Sequence, residues 1–122
     1  MTEKKEEITT EILLSNIIEG VKNLKAKDIV SIDLTSLEHR ICKYFVICHG
    51  DSNTHVNAIA ESVTGEVKEK LDIPAVHKEG QDNACWILLD YGAVVVHVFQ
   101  KECRDFYLLE ELWADGKIER ID

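Results

Sequence analysis

Catalysis by paired carboxylates, alone or on a metal ion, needs two acids projecting into one site. The chain carries 23 Asp and Glu residues, yet Asp-x-Asp, Asp-x-Glu, Glu-x-Asp and Glu-x-Glu occur nowhere in it. Glu66 and Glu69 share a helix face, but Lys68 and Lys70 alternate with them, and the group reads as a solvated surface. The five histidines, His39, His49, His55, His77 and His97, form no His-x-x-x-His or His-Glu-x-x-His pattern, so local spacing offers no zinc site. Cys42, Cys48, Cys85 and Cys103 make no Cys-x-x-Cys pair and lie in apolar runs; the expectation is reduced, buried thiols in a reducing compartment. A Cys/His nucleophile pair would have to meet in space, and Cys48 and Cys85 fall in predicted strands, where cysteine is more often core. A glycine-rich phosphate loop is absent. The residues therefore predict a binding protein and not an enzyme, with no catalytic residue, metal or cofactor.

One turn keeps a nucleotide-handling alternative open. Gly50-Asp51-Ser52 stands between a predicted strand and helix, much as the Gly-Ser turn of nucleotidyltransferases does, but the downstream Asp-x-Asp that holds magnesium in those enzymes is missing.

The elements around these residues follow from periodicity. Leu13, Ile17, Val21 and Leu24, widened by Ile12, Leu14 and Ile18, give a first amphipathic helix. Asp28–Leu34 and Tyr44–Cys48 read as strands. Ser52 or Asn53 can cap a second helix with the stripe Val56, Ile59, Ala60, Val63, Val67 and Leu71, closed by Pro74. Ala75–Glu79 is a weak strand before a loop centred on Gly80, and the strand-helix-strand unit predicts that it runs parallel to its predecessor. From Trp86 to Phe99, two apolar runs are broken only at Asp90-Tyr-Gly-Ala93, a hairpin signal. After Lys101 a third helix is predicted to turn Phe106, Leu109, Leu112 and Trp113 inward, with Gly116 at its end and a short charged tail beyond. The whole is expected to be one α/β domain over residues 1–122, with three helices on a mixed sheet of about five strands.

Alternation sorts the hairpin into two faces. With Tyr91-Gly92 as a two-residue loop, Leu88 pairs with Val95 and Trp86 with His97, so Trp86, Leu88, Asp90, Val95 and His97 share one side; a three-residue loop would swap the second strand's set. The other side is Ile87, Leu89, Val94, Val96 and Val98, all apolar and suited to lie under helices. The first face mixes a tryptophan, aliphatics, an imidazole and a carboxylate, as interface centres often do. Its bland counterpart is a covered face with Trp86 as ordinary core and His97 as a structural histidine.

Composition narrows the partners. Of 122 residues, 30% are charged, and 23 acidic against 14 basic give a formal charge of −9. That charge repels phosphate backbones, so little direct nucleic-acid binding is expected, and it suits solubility or a basic protein partner. The start, Met1-Thr-Glu-Lys-Lys-Glu-Glu7, lacks a signal core, and no apolar run approaches the roughly 20 residues of a membrane span. The expected compartment is bacterial cytoplasm, without a membrane role. A homodimer formed through the same sheet face is the remaining alternative.

Tyr44-Phe-Val-Ile, Gly50-Asp-Ser, Val56–Ala60, Glu79-Gly80, Trp86-Ile-Leu-Leu-Asp-Tyr-Gly, Val96-His-Val-Phe, Arg104-Asp-Phe-Tyr and Leu109-Glu-Glu-Leu-Trp113 occur in one series. In this the sequence resembles the Iojap-like ribosomal silencing factors, over nearly its whole length. The resemblance implies a protein that binds the large ribosomal subunit at the large-subunit protein numbered fourteen. There it would block the small subunit sterically, lowering translation when nutrients are short. It also implies a nucleotidyltransferase-like fold without the catalysis. Trp86 would anchor the contact and Asp90 would face a basic ribosomal protein, with Asp82, Tyr44, Leu88 and His97 around them. Arg104, Tyr107 and Trp113 would be structural. Lys43 and Ala93 stand where the family usually has Asp, and His49-Gly-Asp where a Thr-Gly or Ser-Gly turn is common.

Overall fold

A computed structural model describes residues 9–38 and 40–121, which leaves the N-terminal run, His39 and the last residue outside it. The first helix, α1 (Thr10–Asn23), begins where the Thr9 hydroxyl accepts the Ile12 N–H at 3.2 Å, and buries Leu13, Ile17 and Val21 as its stripe predicts. Strands β1 (Lys27–Asp33) and β2 (Tyr44–Gly50) follow, then α2 (Asn53–Leu71). Ser52 is its N-cap, accepting the His55 N–H at 3.1 Å, and the helix stops at Asp72 (φ 56°), two residues before Pro74. Next come β3 (His77–Glu79), β4 (Trp86–Asp90), β5 (Val94–Gln100), α3 (Lys101–Tyr107), α4 (Leu109–Leu112) and β6 (Lys117–Ile121).

The described residues form a sheet of six strands in the order β3-β4-β5-β2-β1-β6. Among the described residues only β2 and β5 pair in parallel, and the other ladders are antiparallel. β3 does run in the same direction as β2, as the crossover predicts, but β4 and β5 lie between them. The charged tail expected from about residue 116 is instead the sixth strand, paired along β1 from Ile29↔Ile121 to Asp33↔Lys117. Gly116 does not end a helix: α4 stops at Leu112 with Trp113 as its cap.

The expected third helix is two short pieces. Leu108 adopts a left-handed conformation (φ 52°) between them, which rotates the inward stripe. Leu109 is buried and Trp113 half-buried, but Phe106 and Leu112, predicted inward, are 77% and 71% exposed.

Two apolar layers flank the sheet. Under α1 and α2, Ile17, Val21, Ile59 and Val63 pack on Val46, Cys48, Ile87, Leu89, Val94, Val96 and Val98. On the reverse face, Val30, Ile32, Phe45, Ile47, Val95 and Phe99 pack under Leu34, Cys42 and Leu109. β2 and β5 are therefore apolar on both sides, whereas Trp86, Leu88 and Asp90 on β4 stay half-buried. Among the described residues no helix is long and apolar enough to cross a membrane.

Candidate functional site

The β4–β5 turn positions the site. Gly92 (φ 83°) lies between Tyr91 and Ala93, whose N–H donates back to the Tyr91 carbonyl at 3.0 Å, while the Tyr91 N–H donates to the Val94 carbonyl at 2.9 Å. The loop is thus Gly92-Ala93 and not Tyr91-Gly92. Trp86 pairs with Phe99 and Leu88 with His97, a register two residues from the predicted one. A shift of two preserves facing, so Trp86, Leu88, Asp90, Val95 and His97 do share one side, joined by Phe99.

Trp86 is the hub of this face. Its ring centroid lies 4.7 Å from Tyr107, 5.0 Å from Phe99 and 5.8 Å from His97. The indole Nε1–H donates to His97 Nδ1 at 3.0 Å, which requires that nitrogen to be unprotonated and leaves the proton on Nε2. Nε2 is buried and meets no hydrogen-bond partner among the described residues. Burial pushes the His97 pKa down to about 4, so the imidazole is neutral at physiological pH. Phe45 packs edge-on to it at 4.6 Å.

The other predicted residues divide. Leu88 borders Trp86 in a groove of about 170 Å³ completed by Glu79 and Gly80. Asp90 is half-buried; its Oδ1 accepts the Gly92 N–H at 2.7 Å, so the carboxylate also fastens the turn. Asp82 is exposed in the turn leading to β4 and makes no side-chain hydrogen bond or ion pair among the described residues. Tyr44 is not part of this face. It pairs with Val94 in the parallel ladder and packs with the layer under α1 and α2, while its neighbour Phe45 takes the Trp86 side.

Sequence reasoning missed His77 and Glu79. They pair with Asp90 and Leu88, lie on the same face, and join through His77 Nε2 and Glu79 Oε2 at 2.6 Å. Their alternation was the available signal, obscured by the shortness of β3. It also missed that Tyr107, 47% exposed, roofs part of Trp86.

The four-thiol expectation is corrected. Cys42 and Cys48 are free and buried, but Cys85 and Cys103, both half-buried, form a disulfide between the residue preceding β4 and α3. Sequence separation gives no hint of it, because a strand, a turn and a second strand intervene.

The Gly50-Asp51-Ser52 turn has a structural explanation. Ser52 caps α2, and a Cβ on Gly50 would sit 3.0 Å from the His55 ring. That ring accepts the Asp51 N–H at Nδ1 (2.9 Å) and donates from Nε2 to the Leu24 carbonyl (2.7 Å), tying α2 to the end of α1. A depression of about 390 Å³ opens beyond the carboxyl ends of the parallel strands, where α/β sheets often bind ligands. Its buried cation is committed inward. Arg104, buried, grips Glu110 through two bonds at 2.9 and 3.2 Å and reaches His49 Nδ1 at 3.0 Å. Lys101 pairs with Asp105 at 2.9 Å. Burial and Arg104 lower the His49 pKa. Among the described residues no group of three or more His, Cys, Asp or Glu could hold a metal ion.

Fold and site together define a small α/β protein whose polar side chains brace elements, with an aromatic patch left half-covered on one end of its sheet. The family described as "Ribosomal silencing factor during starvation" matches residues 6–122, and the chain belongs to it. It is 41% identical over 98 residues to ribosomal silencing factor RsfS of Bacillus subtilis, covering 80% of this chain and 81% of that one. The counterpart from Halalkalibacterium halodurans is 37% identical over 110 residues, covering 90% and 92%. A crystal structure of a Chromobacterium violaceum protein superimposes with a TM-score of 0.82 at 35% identity, covering 87% of each chain. The relatives carry the names of regulatory factors, not of enzymes.

Proposed function

We propose that the chain docks on the large ribosomal subunit at the protein numbered fourteen, in the bacterial cytoplasm. Seated there it sterically blocks joining of the small subunit and represses translation when nutrients are short. The observation that carries this reading is the half-covered patch of Trp86 and Leu88, edged by the carboxylates of Asp90 and Glu79. A large aromatic flanked by acids fits a basic protein surface, since hot spots centre on aromatic anchors with polar rims. The charge of −9 favours such a protein contact over ribosomal RNA. Asp82 and His97 contribute from the edge and from beneath, by presenting charge and by orienting the indole.

Co-sedimentation with isolated large subunits tests the reading. The wild type should travel with them, and Trp86→Ala, checked for its fold by circular dichroism, should weaken binding by on the order of 2 kcal/mol, about thirtyfold in Kd. Undiminished binding of a folded Trp86→Ala protein would remove Trp86 from the contact. Failure of the wild type to co-sediment would remove the docking itself.

A further inference from the structure

Two of the four cysteines are sealed in the core. Cys42 and Cys48 are buried, and burial pushes their thiols up to about 11 and about 12, so neither supplies thiolate at neutral pH. Cys85 and Cys103 differ in place and exposure. Both are half-buried, and their Cα atoms lie 6.0 Å apart, within the span a disulfide bridges without backbone movement.

Their neighbours give the bridge a consequence. Cys85 directly precedes Trp86, and Cys103 stands one helical turn before Tyr107, on the same face of α3. The covalent link and the 4.7 Å contact between the Trp86 and Tyr107 rings therefore join the same two elements side by side. α3 has seven residues and no side-chain bond at its N-cap, so its placement depends on what ties it down. Arg104 fastens its inner side through Glu110, and the bridge fastens the side that carries Tyr107.

We propose that Cys85 and Cys103 are a reversible dithiol–disulfide site, closed by hydroperoxides and reopened by dithiols, whose state sets how closely Tyr107 covers Trp86. In the closing reaction one thiolate attacks a peroxide oxygen, the O–O bond breaks, and hydroxide leaves to yield a sulfenic acid. The second thiol sulfur then attacks that sulfur, the S–S bond forms, and the remaining oxygen departs as water with the thiol proton. Two thiols and one hydrogen peroxide thus give one disulfide and two waters. Reopening proceeds by two thiol–disulfide exchanges that transfer the bond to the reductant. In a reducing compartment such bridges are usually transient and redox-sensing.

The test uses the full chain, oxidised with hydrogen peroxide or reduced with dithiothreitol, then alkylated under denaturing conditions and mapped by mass. After oxidation Cys85 and Cys103 should escape alkylation as one linked peptide, Cys42 and Cys48 should be labelled, and dithiothreitol should restore all four labels. Acrylamide quenching of indole emission, with Trp86→Phe used to subtract Trp113, should rise for Trp86 on reduction. Cys85→Ser and Cys103→Ser should both show the reduced level whatever the oxidant. Full labelling after peroxide, a different pairing, or equal quenching of oxidised and reduced wild type would each overturn the proposal.

Discussion

The indole N–H of Trp86 ends on a histidine that is 4% exposed, and this contact makes the fold sensitive to acid. Protonating Nδ1 would abolish its acceptor and place a charge among Phe45, Phe99 and Trp86. Burial holds the His97 pKa at about 4 against an ordinary 6.5. Between those values the unfolded chain binds a proton that the native state refuses. Stability is therefore whole above pH 6.5 and falls as pH drops towards 4, by on the order of 3 kcal/mol across the window. His49, lowered by burial and Arg104, acts in the same direction, so the wild type alone does not isolate His97. His97→Gln keeps an acceptor but no titration. Denaturant unfolding at stepped pH should show a shallower decline for this variant, and parallel declines would refute the assignment. The β4 members of this face were legible from alternation, whereas Val95 and His97 joined them only on a two-residue loop, which the structure has at Gly92-Ala93. The exact pairs were not legible, since they depend on which two residues close the turn. Tyr44 was misplaced for a different reason: its facing is set by parallel pairing with β5, a partner 50 residues away (Tyr44↔Val94) that no local pattern announces.

The most consequential departure from local reading among the elements is the break at Leu108. Phe106, Leu109, Leu112 and Trp113 make a plausible stripe on one continuous helix, and nothing at position 108 signals a stop, because left-handed residues are usually Gly or Asn. Tertiary anchoring overrides that preference. Arg104 on α3 grips Glu110 on α4 across the break, and Leu109 is buried beneath it. Leu108 is itself 44% exposed, so its conformation and not its burial should govern substitutions there. Leu108→Asn, which tolerates the left-handed region, should leave stability within about 0.5 kcal/mol of wild type. Leu108→Val, branched at Cβ, should cost about 1–2 kcal/mol. Chemical denaturation midpoints compare the two, and equal losses would mean that the Leu108 side chain is held by packing. β6 was hidden in a similar way. Lys117-Ile-Glu-Arg-Ile121 is mostly charged and exposed, as suits an edge strand paired on one side only, and its place is revealed by β1 and not by its own pattern.

At the scale of the molecule, helices cover one side of the sheet, while the short α3 and α4 pieces leave β4 half-covered and β3 exposed on the other. Amphipathic stripes made the first layer readable. The incomplete second layer depended on the break at Leu108 and the disulfide, which are invisible locally. With a charge of −9 over 122 residues, the exposed patch sits in an acidic field, so docking on a basic partner should have a screened component and an unscreened one. The carboxylates supply the first: their attraction weakens as the Debye length falls from about 10 Å at 0.1 M salt towards 3 Å at 1 M. The indole supplies the second, because burial of apolar area does not depend on ionic strength in that way. Asp90→Asn separates the two, since an amide oxygen can still accept the Gly92 N–H and keep the turn while the charge is lost. Affinity for large subunits, measured across a salt series, should fall for the wild type and fall less steeply for Asp90→Asn. Trp86→Ala should bind weakly at every salt concentration with the wild-type slope. If the slope of Asp90→Asn matched that of the wild type, Asp90 would have no share in the attraction and its role would reduce to closing the turn.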